Sequence, residues 1–172
     1  MGEIDHTEGS IPQIEGARVA ILQTKWYREY IDNMVLKCVE KLIEAGAHQP
    51  VIHRIPGAVE LPLAAQSLAR SQNRPDVIIC FGGILKGDTF HFEMISNECM
   101  RGLGEVMLRE SIPIIVEVIP VLTIEDLRAR SQDDERNKGI EAAYATAEIL
   151  SWRRSLVFSK KAQGAPFGFK MG

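Results

Sequence analysis

The sequence predicts a single α/β domain in which helices cover both faces of a four-stranded parallel sheet. Short apolar runs alternate with longer amphipathic stretches along the chain, which is the pattern of strands connected by crossover helices. The third run, from Val77 to Phe81, is apolar without interruption, as expected for a strand that is buried on both faces. The length of 172 residues accommodates one such domain.

The predicted elements follow one another in the order β-α-β-α-β-α-β-α-α. The apolar runs that we expect to form strands cover residues 18–23, 51–55, 76–81 and 113–119. The stretches that we expect to form helices cover residues 31–43, 59–70 and 92–106, a short piece near 125, and residues 134–152. The pattern predicts a folded domain over residues 17–152, an unanchored tail over residues 1–16 and a second tail over residues 153–172.

Composition argues against several classes of function. A net charge of -3 and a pI near 5.8 argue against nucleic-acid binding, which requires a basic surface. The longest apolar stretch, residues 112–123, contains two prolines and Glu117 and is too short to span a membrane. Cys38, Cys80 and Cys99 are widely separated, so we expect buried thiols in a reducing cytoplasm and no metal site.

The loops that follow the first two strands carry candidate ligand-binding residues, because open parallel sheets bind ligands beyond the carboxyl ends of their strands. Trp26 follows the first strand, where its indole could stack on a planar heterocycle or simply cover the end of the sheet. Glu60 follows the second strand, where its carboxylate could accept hydrogen bonds from a ligand or stabilise the start of a helix.

The loop after the third strand has the features of an anion site. Its sequence, Lys86-Gly-Asp-Thr-Phe-His91, joins a turn-forming glycine to the start of a helix, whose free N–H groups attract anions. His91 would lie beside that site, and histidine can transfer protons near neutral pH. The alternative is that Thr89 only caps the helix and that His91 is an ordinary surface residue.

Arg130 and Lys138 are candidates for a second set of anion contacts. An arginine can hold a phosphate through two hydrogen bonds, and a nearby lysine can add a second positive charge. Both residues lie close to several acidic residues, so a solvated charged run is the alternative. With the loops described above, they favour a phosphorylated substrate held beside a planar ring and a proton-transferring histidine.

Three motifs in order resemble the 6,7-dimethyl-8-ribityllumazine synthase family. They are Ile55-Pro-Gly-Ala-Val-Glu60, Lys86-Gly-Asp-Thr-Phe-His-Phe92 and Asn137-Lys-Gly139. The resemblance covers residues 17–152, and the spacing from His91 to Lys138 fits the family without a gap. It implies a flavodoxin-like three-layer fold and a transferase of riboflavin biosynthesis.

The resemblance also implies a reaction and an assembly. The family condenses 5-amino-6-(D-ribitylamino)uracil with 3,4-dihydroxy-2-butanone 4-phosphate: a Schiff base forms, phosphate leaves, and the ring closes with loss of water. No metal or organic cofactor takes part. Family members form pentamers with active sites between subunits, which implies a homo-oligomer here, with Val116, Arg130 and Lys138 donated by the neighbouring subunit.

Individual residues match functional positions of the family. His91 matches the proton donor. The positions that contact the pyrimidine ring and the ribityl chain are matched by Trp26, Ala58, Val59, Glu60, Gly83, Ile84, Leu85 and Val116. The phosphate-binding positions are matched by Asp88, Thr89, Arg130 and Lys138.

Several residues depart from the family pattern. Val59 and Val116 stand where phenylalanine is usual, which predicts a looser ring pocket, and Tyr27 replaces a common asparagine. Glu117 lies in a strand that we expect to be buried and therefore needs a partner. These departures leave a second function open, that of a catalytically weak paralogue that binds a flavin or lumazine ring as a carrier or scaffold.

The segment between Arg130 and Asn137 bears on the size of the assembly. It lacks the glycine-containing turn that is common in sixty-subunit capsids of the family. A continuous helix through this segment would disfavour the capsid geometry. We therefore expect a pentamer or a dimer of pentamers, that is, a decamer.

Overall fold

The computed structural model describes residues 10–163, with side-chain surroundings through residue 156. Within this range the chain forms a four-stranded sheet and five α-helices. The strands are β1 (Val19–Thr24), β2 (Val51–Ile55), β3 (Val77–Leu85) and β4 (Ile114–Val121). The helices are α1 (Arg28–Glu44), α2 (Leu61–Ala69), α3 (His91–Glu110), α4 (Ile124–Ala129) and α5 (Lys138–Gln163), and a short 3₁₀ turn, Ala58–Glu60, precedes α2.

The sheet is parallel throughout, with the strand order β2-β1-β3-β4. Ile21 of β1 pairs with Ile79 of β3, which in turn pairs with Ile115 of β4. The two central strands are the apolar runs of the sequence, and β1 is buried along its whole length. The prediction of a four-stranded parallel sheet flanked by helices is confirmed.

The helices form two layers, one on each face of the sheet. On one face, α1 and α5 pack over Phe81 in a cluster that includes Met34 and Leu42. On the other face, α2 and α3 pack over alternate strand residues, such as Ile78 and Cys80. This division follows from the two-residue period of strands, which sends neighbouring side chains to opposite faces.

All three cysteines are buried free thiols, as the sequence predicts. Removal from water disfavours the charged thiolate and raises the pKa of Cys38, Cys80 and Cys99. These thiols therefore belong to the packed interior and are not nucleophiles.

The prediction of an unanchored tail over residues 1–16 is wrong for residues 10–16. Ile11 and Ile14 are buried in the layer of α1 and α5, and the N–H of Ile14 donates a 2.8 Å hydrogen bond to the carbonyl of Ala45. Apolar contacts fix this segment although it has neither helical nor strand periodicity. The remainder of the predicted tail, residues 1–9, lies outside the described residues.

The last helix differs from the prediction at both ends. It begins at Lys138 and not near residue 134, because Asn137 turns the chain: its side chain accepts a 2.8 Å hydrogen bond from the N–H of Gly139 and donates a 2.7 Å bond to the carbonyl of Gln132. The helix continues through Gln163, past the predicted boundary at residue 152. The rest of the predicted tail, residues 164–172, lies outside the described residues.

None of the helices formed between residues 10 and 163 is long and apolar enough to cross a membrane.

Candidate functional site

Three residues that follow β1 and β2 lie together at the carboxyl edge of the sheet. A β-carbon placed on Gly57 would lie 3.1 Å from Oε2 of Glu60 and 3.8 Å from Nε1 of Trp26. The indole of Trp26 is 64% exposed, so it does not cover the end of the sheet but is open to a ligand. An aromatic face and a carboxylate therefore flank the same glycine.

Glu60 occupies the N-cap position of α2, but its side chain makes no capping hydrogen bond. The carboxylate is exposed and is available to hydroxyl or N–H groups of a ligand. Ala58 is half-buried against the layer of α2 and α3, and Val59 is 48% exposed. This turn presents side chains outward beside Trp26.

The loop between β3 and α3 is open to solvent from Lys86 to His91. The N-cap position of α3 is Phe90, and no side chain caps the helix, so the alternative role of Thr89 as a helix cap is wrong. The first N–H groups of α3 are free to bind an anion. Asp88, Thr89 and His91 lie beside them.

The end of β3 contributes less side chain to the site than the sequence predicts. Ile84 points into the core formed with α2 and α3, and Leu85 packs against the opposite layer. Gly83 has no side chain, and the space that a β-carbon would take there is occupied by Leu127 and Tyr27. Only the backbone of this stretch is positioned to face a ligand.

Arg130 and Lys138 are linked through their backbones. The N–H of Lys138 donates a 2.9 Å hydrogen bond to the carbonyl of Arg130. The guanidinium of Arg130 donates a 2.8 Å bond to the carbonyl of Asp126, and the ammonium of Lys138 contacts the carboxylate of Glu141. Both side chains are partly buried and hydrogen-bonded, which is unlike a solvated charged run.

Glu117 of β4 completes the ionisable groups near Lys138. Burial, reinforced by the charge of Glu141, raises the pKa of Glu117 to about 8, while the nearby ammonium of Lys138 opposes the shift. Of these two α5 residues only Lys138 favours the charged form of Glu117, and its ammonium is already paired with Glu141. Val116, the preceding residue, points to the other face of the sheet and is half-buried there.

The candidate residues fall into two sets on opposite faces of the sheet. Ala58 and Phe92 pack in the layer of α2 and α3, which places the 3₁₀ turn and the start of α3 on that face. The segment from Arg130 to Lys138 lies on the other face: Asn33 of α1 donates a hydrogen bond to the carbonyl of Ser131, and Lys37 of α1 pairs with Asp133 at 3.5 Å. The first set comprises Trp26, the turn from Ala58 to Glu60 and the loop from Asp88 to His91, and the second comprises Arg130 and Lys138. One chain therefore brings together the residues of each set but separates the two sets.

Sequence reasoning did not assign a role to Glu141 or to Asp126. Glu141 contacts Lys138 three residues away along α5, and the carbonyl of Asp126 receives the guanidinium of Arg130. The first contact could have been found from its spacing, since side chains three apart on a helix are neighbours. The second involves a backbone carbonyl and leaves no signal in the sequence.

The family model described as 6,7-dimethyl-8-ribityllumazine synthase matches residues 16–154, which is most of the chain. The chain belongs to the 6,7-dimethyl-8-ribityllumazine synthase family. Among proteins of that name, the one from Stenotrophomonas maltophilia is 35% identical over 150 residues, which cover 86% of this chain and 96% of the relative. Those from Saccharopolyspora erythraea and Halorhodospira halophila are 32% and 30% identical, with 87% of this chain covered in each case and 90% and 97% of the relatives.

The family assignment confirms the resemblance inferred from the three motifs. These lumazine synthase relatives align over nearly their whole length, so the match includes both sets of candidate residues. The carrier or scaffold alternative is not favoured, because every relative cited above is named as a synthase.

Proposed function

We propose that this chain catalyses the synthesis of 6,7-dimethyl-8-ribityllumazine from 5-amino-6-(D-ribitylamino)uracil and 3,4-dihydroxy-2-butanone 4-phosphate. The observation that carries the proposal is the pairing of Trp26 and Glu60 around Gly57, beside the uncapped start of α3 at His91. An aromatic face, a carboxylate and an anion site are what a ribitylated pyrimidine and a sugar phosphate require. The family membership of the chain supports the same reaction.

In this proposal the first set of residues binds the pyrimidine substrate. Trp26 stacks on the ring, since its indole face is exposed. Glu60 accepts hydrogen bonds from the ribityl chain, with Ala58 and Val59 beside it. The backbone of Gly83, Ile84 and Leu85 faces the ring, because the side chains of the last two are directed into the core.

The sugar phosphate is held between the start of α3 and the second set of residues. Asp88 and Thr89 border the phosphate at the helix N-terminus, where backbone N–H groups donate to its oxygens. Arg130 binds the phosphate through its guanidinium, and Lys138 supplies a second positive charge. Holding both substrates in register accounts for much of the rate, since proximity can supply roughly 7–11 kcal/mol.

The reaction begins when the amine of the pyrimidine attacks the ketone of the sugar phosphate and water leaves to form a Schiff base. Elimination then breaks the C–O bond to phosphate, and the inorganic phosphate departs with the bonding electrons. The second amine closes the ring with loss of another water. His91 donates and accepts the protons of these steps, and Arg130 stabilises the leaving phosphate. No metal or organic cofactor is needed.

We also propose that the active site lies between two copies of the chain in a pentamer or a dimer of pentamers. The separation of the two residue sets by the sheet supports a shared site, with Arg130 and Lys138 coming from the neighbour. Val116 is also proposed to come from the neighbour, on the family resemblance alone, because in its own chain it lies on the same face as Ala58 and Phe92. An exposed apolar groove between α3 and α5 supports self-association, and its lining includes Met107, Leu108, Ile115, Ile149 and Trp152. Residues 131–136 form a bend and not a continuous helix, so helix continuity does not argue against a capsid.

Residues 17–152 contain all the proposed site residues, and the folded domain around them also includes residues 10–16, which pack in its core, and α5 as far as Gln163. A reducing cytoplasm is the proposed location, which the three free thiols support.

The experiment is to mix the purified protein with both substrates and to follow lumazine formation by its absorbance. We expect a rate well above that of the same mixture without protein. A rate equal to the uncatalysed background would overturn the proposed activity.

A further inference from the structure

The corner between β1 and α1 is held in a strained conformation beside the proposed ring-binding site. Tyr27 has φ 53° and ψ 43°, which is the left-handed region, and it is directly followed by the first residue of α1. For an L-residue other than glycine, this conformation is unfavourable in free energy, so the surrounding structure must hold the residue in place. The residue before this corner is Trp26.

The packing of the Tyr27 ring identifies what holds the corner. Tyr27 is half-buried against the layer of α1 and α5. A β-carbon on Gly83 would lie 3.2 Å from Cδ2 of Tyr27 and 2.9 Å from Cδ2 of Leu127. The ring thus lies over the end of β3, next to the fully buried Leu127 of α4.

We infer that Tyr27 is a positioning residue: its ring, packed over Gly83 beside Leu127, holds the left-handed corner that presents Trp26 to the ring of the substrate. This inference rests on the proposed function for the identity of the ligand. Asparagine tolerates the left-handed region by itself, whereas tyrosine does not. In this chain, packing of an aromatic ring replaces that intrinsic preference.

Three substitutions separate the conformation of the corner from the packing of the ring. Tyr27→Phe keeps the ring. Tyr27→Asn removes the ring but introduces a residue that tolerates the left-handed region. Tyr27→Ala has neither the ring nor that tolerance. Val39→Ala is the control, since Val39 of α1 packs against the same layer but lies three turns from the corner.

The first readout needs no substrate. The sequence contains two tryptophans, so a Trp152→Phe background leaves Trp26 as the sole source of indole fluorescence. Acrylamide quenching and fluorescence anisotropy of Trp26 then report the corner directly. We expect quenching and anisotropy to be unchanged in Tyr27→Phe and Val39→Ala. In Tyr27→Ala the indole of Trp26 should be clearly more mobile and more accessible to acrylamide, and Tyr27→Asn should give intermediate values.

The second readout is steady-state kinetics with both substrates. We expect Tyr27→Ala to raise KM for the pyrimidine about tenfold, which is the order of the left-handed penalty, with a smaller change in kcat. Tyr27→Asn should recover part of that loss. Wild-type quenching and KM in Tyr27→Ala would overturn the inference, and so would equal impairment of the Asn and Ala variants. If the unsubstituted protein forms no lumazine, the proposed function fails, while the fluorescence still tests the corner.

Discussion

The backbone N–H of Lys138 donates a 2.9 Å hydrogen bond to the carbonyl of Arg130, so the two cations proposed to bind phosphate are fixed to each other across the bend of residues 131–136. This link does not involve either side chain. Substitutions of the side chains therefore test charge and hydrogen bonding without releasing the bend.

Arg130→Ala should raise KM for the phosphate substrate by about tenfold or more, because a guanidinium that pairs with phosphate is lost. The KM of Arg130→Lys for the phosphate substrate should fall between those of wild type and Arg130→Ala, since lysine keeps the charge but not the paired hydrogen bonds. Arg128→Ala is the matched control, because Arg128 lies in the last turn of α4, two residues before Arg130, and is exposed. Kinetics in which Arg130→Ala leaves this KM unchanged would remove Arg130 from the phosphate site.

His91→Ala should lower kcat about 100-fold or more and change both KM values little, because proton transfer contributes in the chemical steps. His48→Ala provides the control, as His48 is an exposed histidine near the amino ends of the strands. A turnover number in His91→Ala that matches the control would mean that another group or water moves the protons.

Gly139→Ala should destabilise the protein by about 3 kcal/mol. A β-carbon on Gly139 would overlap the backbone carbonyl of Met34, so α1 and α5 would have to separate. Gly104→Ala on α3 is the comparison, since nothing lies within 4 Å of the added carbon there. Denaturant unfolding at a fixed protein concentration measures the stability of both variants. Equal stabilities of Gly139→Ala and Gly104→Ala would contradict the close approach of α1 and α5.

Glu117 should make the protein less stable as the pH rises. Its pKa is raised from 4.5 to about 8 in the folded chain, so the native state holds the proton more tightly than the unfolded state does. The contribution of this group to the free energy of unfolding is fully present below pH 4.5 and is lost between pH 4.5 and pH 8. Because the side chain is only partly buried, we expect a loss of about 1–3 kcal/mol, less than the full shift implies.

Glu117→Gln removes the titration and should flatten this part of the stability profile. Denaturant unfolding at pH 5 and pH 9 gives the comparison, with Glu125→Gln as the control on an exposed carboxylate. Parallel profiles for wild type and Glu117→Gln would show that Glu117 does not titrate in this range.

The sheet was predictable because β3 begins with an uninterrupted apolar run and β1 is largely apolar, as expected for central strands of a parallel sheet. Ile78 and Ile79 are buried on opposite faces, as the pattern of residues 77–81 predicts. The irregular segment around Ile14 has no period, and its burial depends on contacts with residues near Ala45, so its anchoring could not be foreseen. The start of α5 was misplaced because a side-chain hydrogen bond from Asn137 decides it, and not helical periodicity.

The candidate site was predictable in part for a similar reason. The position of Trp26 and His91 at one edge follows from the parallel order of the strands. The inward direction of Ile84 depends on the exact pleat of β3, and the packing of Tyr27 over Gly83 joins residues far apart in sequence. The placement of Arg130 and His91 on opposite faces follows only from the way α4 and α5 fold back over α1.

The most direct test of a lumazine synthase site shared between two chains is activity after co-refolding of His91→Ala with Arg130→Ala. In a mixed ring, about one interface in four combines an intact His91 from one copy with an intact Arg130 from the next, so lumazine formation should recover to about one quarter of the wild-type rate. Co-refolding His91→Ala with Trp26→Ala, whose substitutions lie on the same side of the proposed interface, should give no such recovery. A mixture of His91→Ala and Arg130→Ala no more active than the average of the two variants would contradict the shared site.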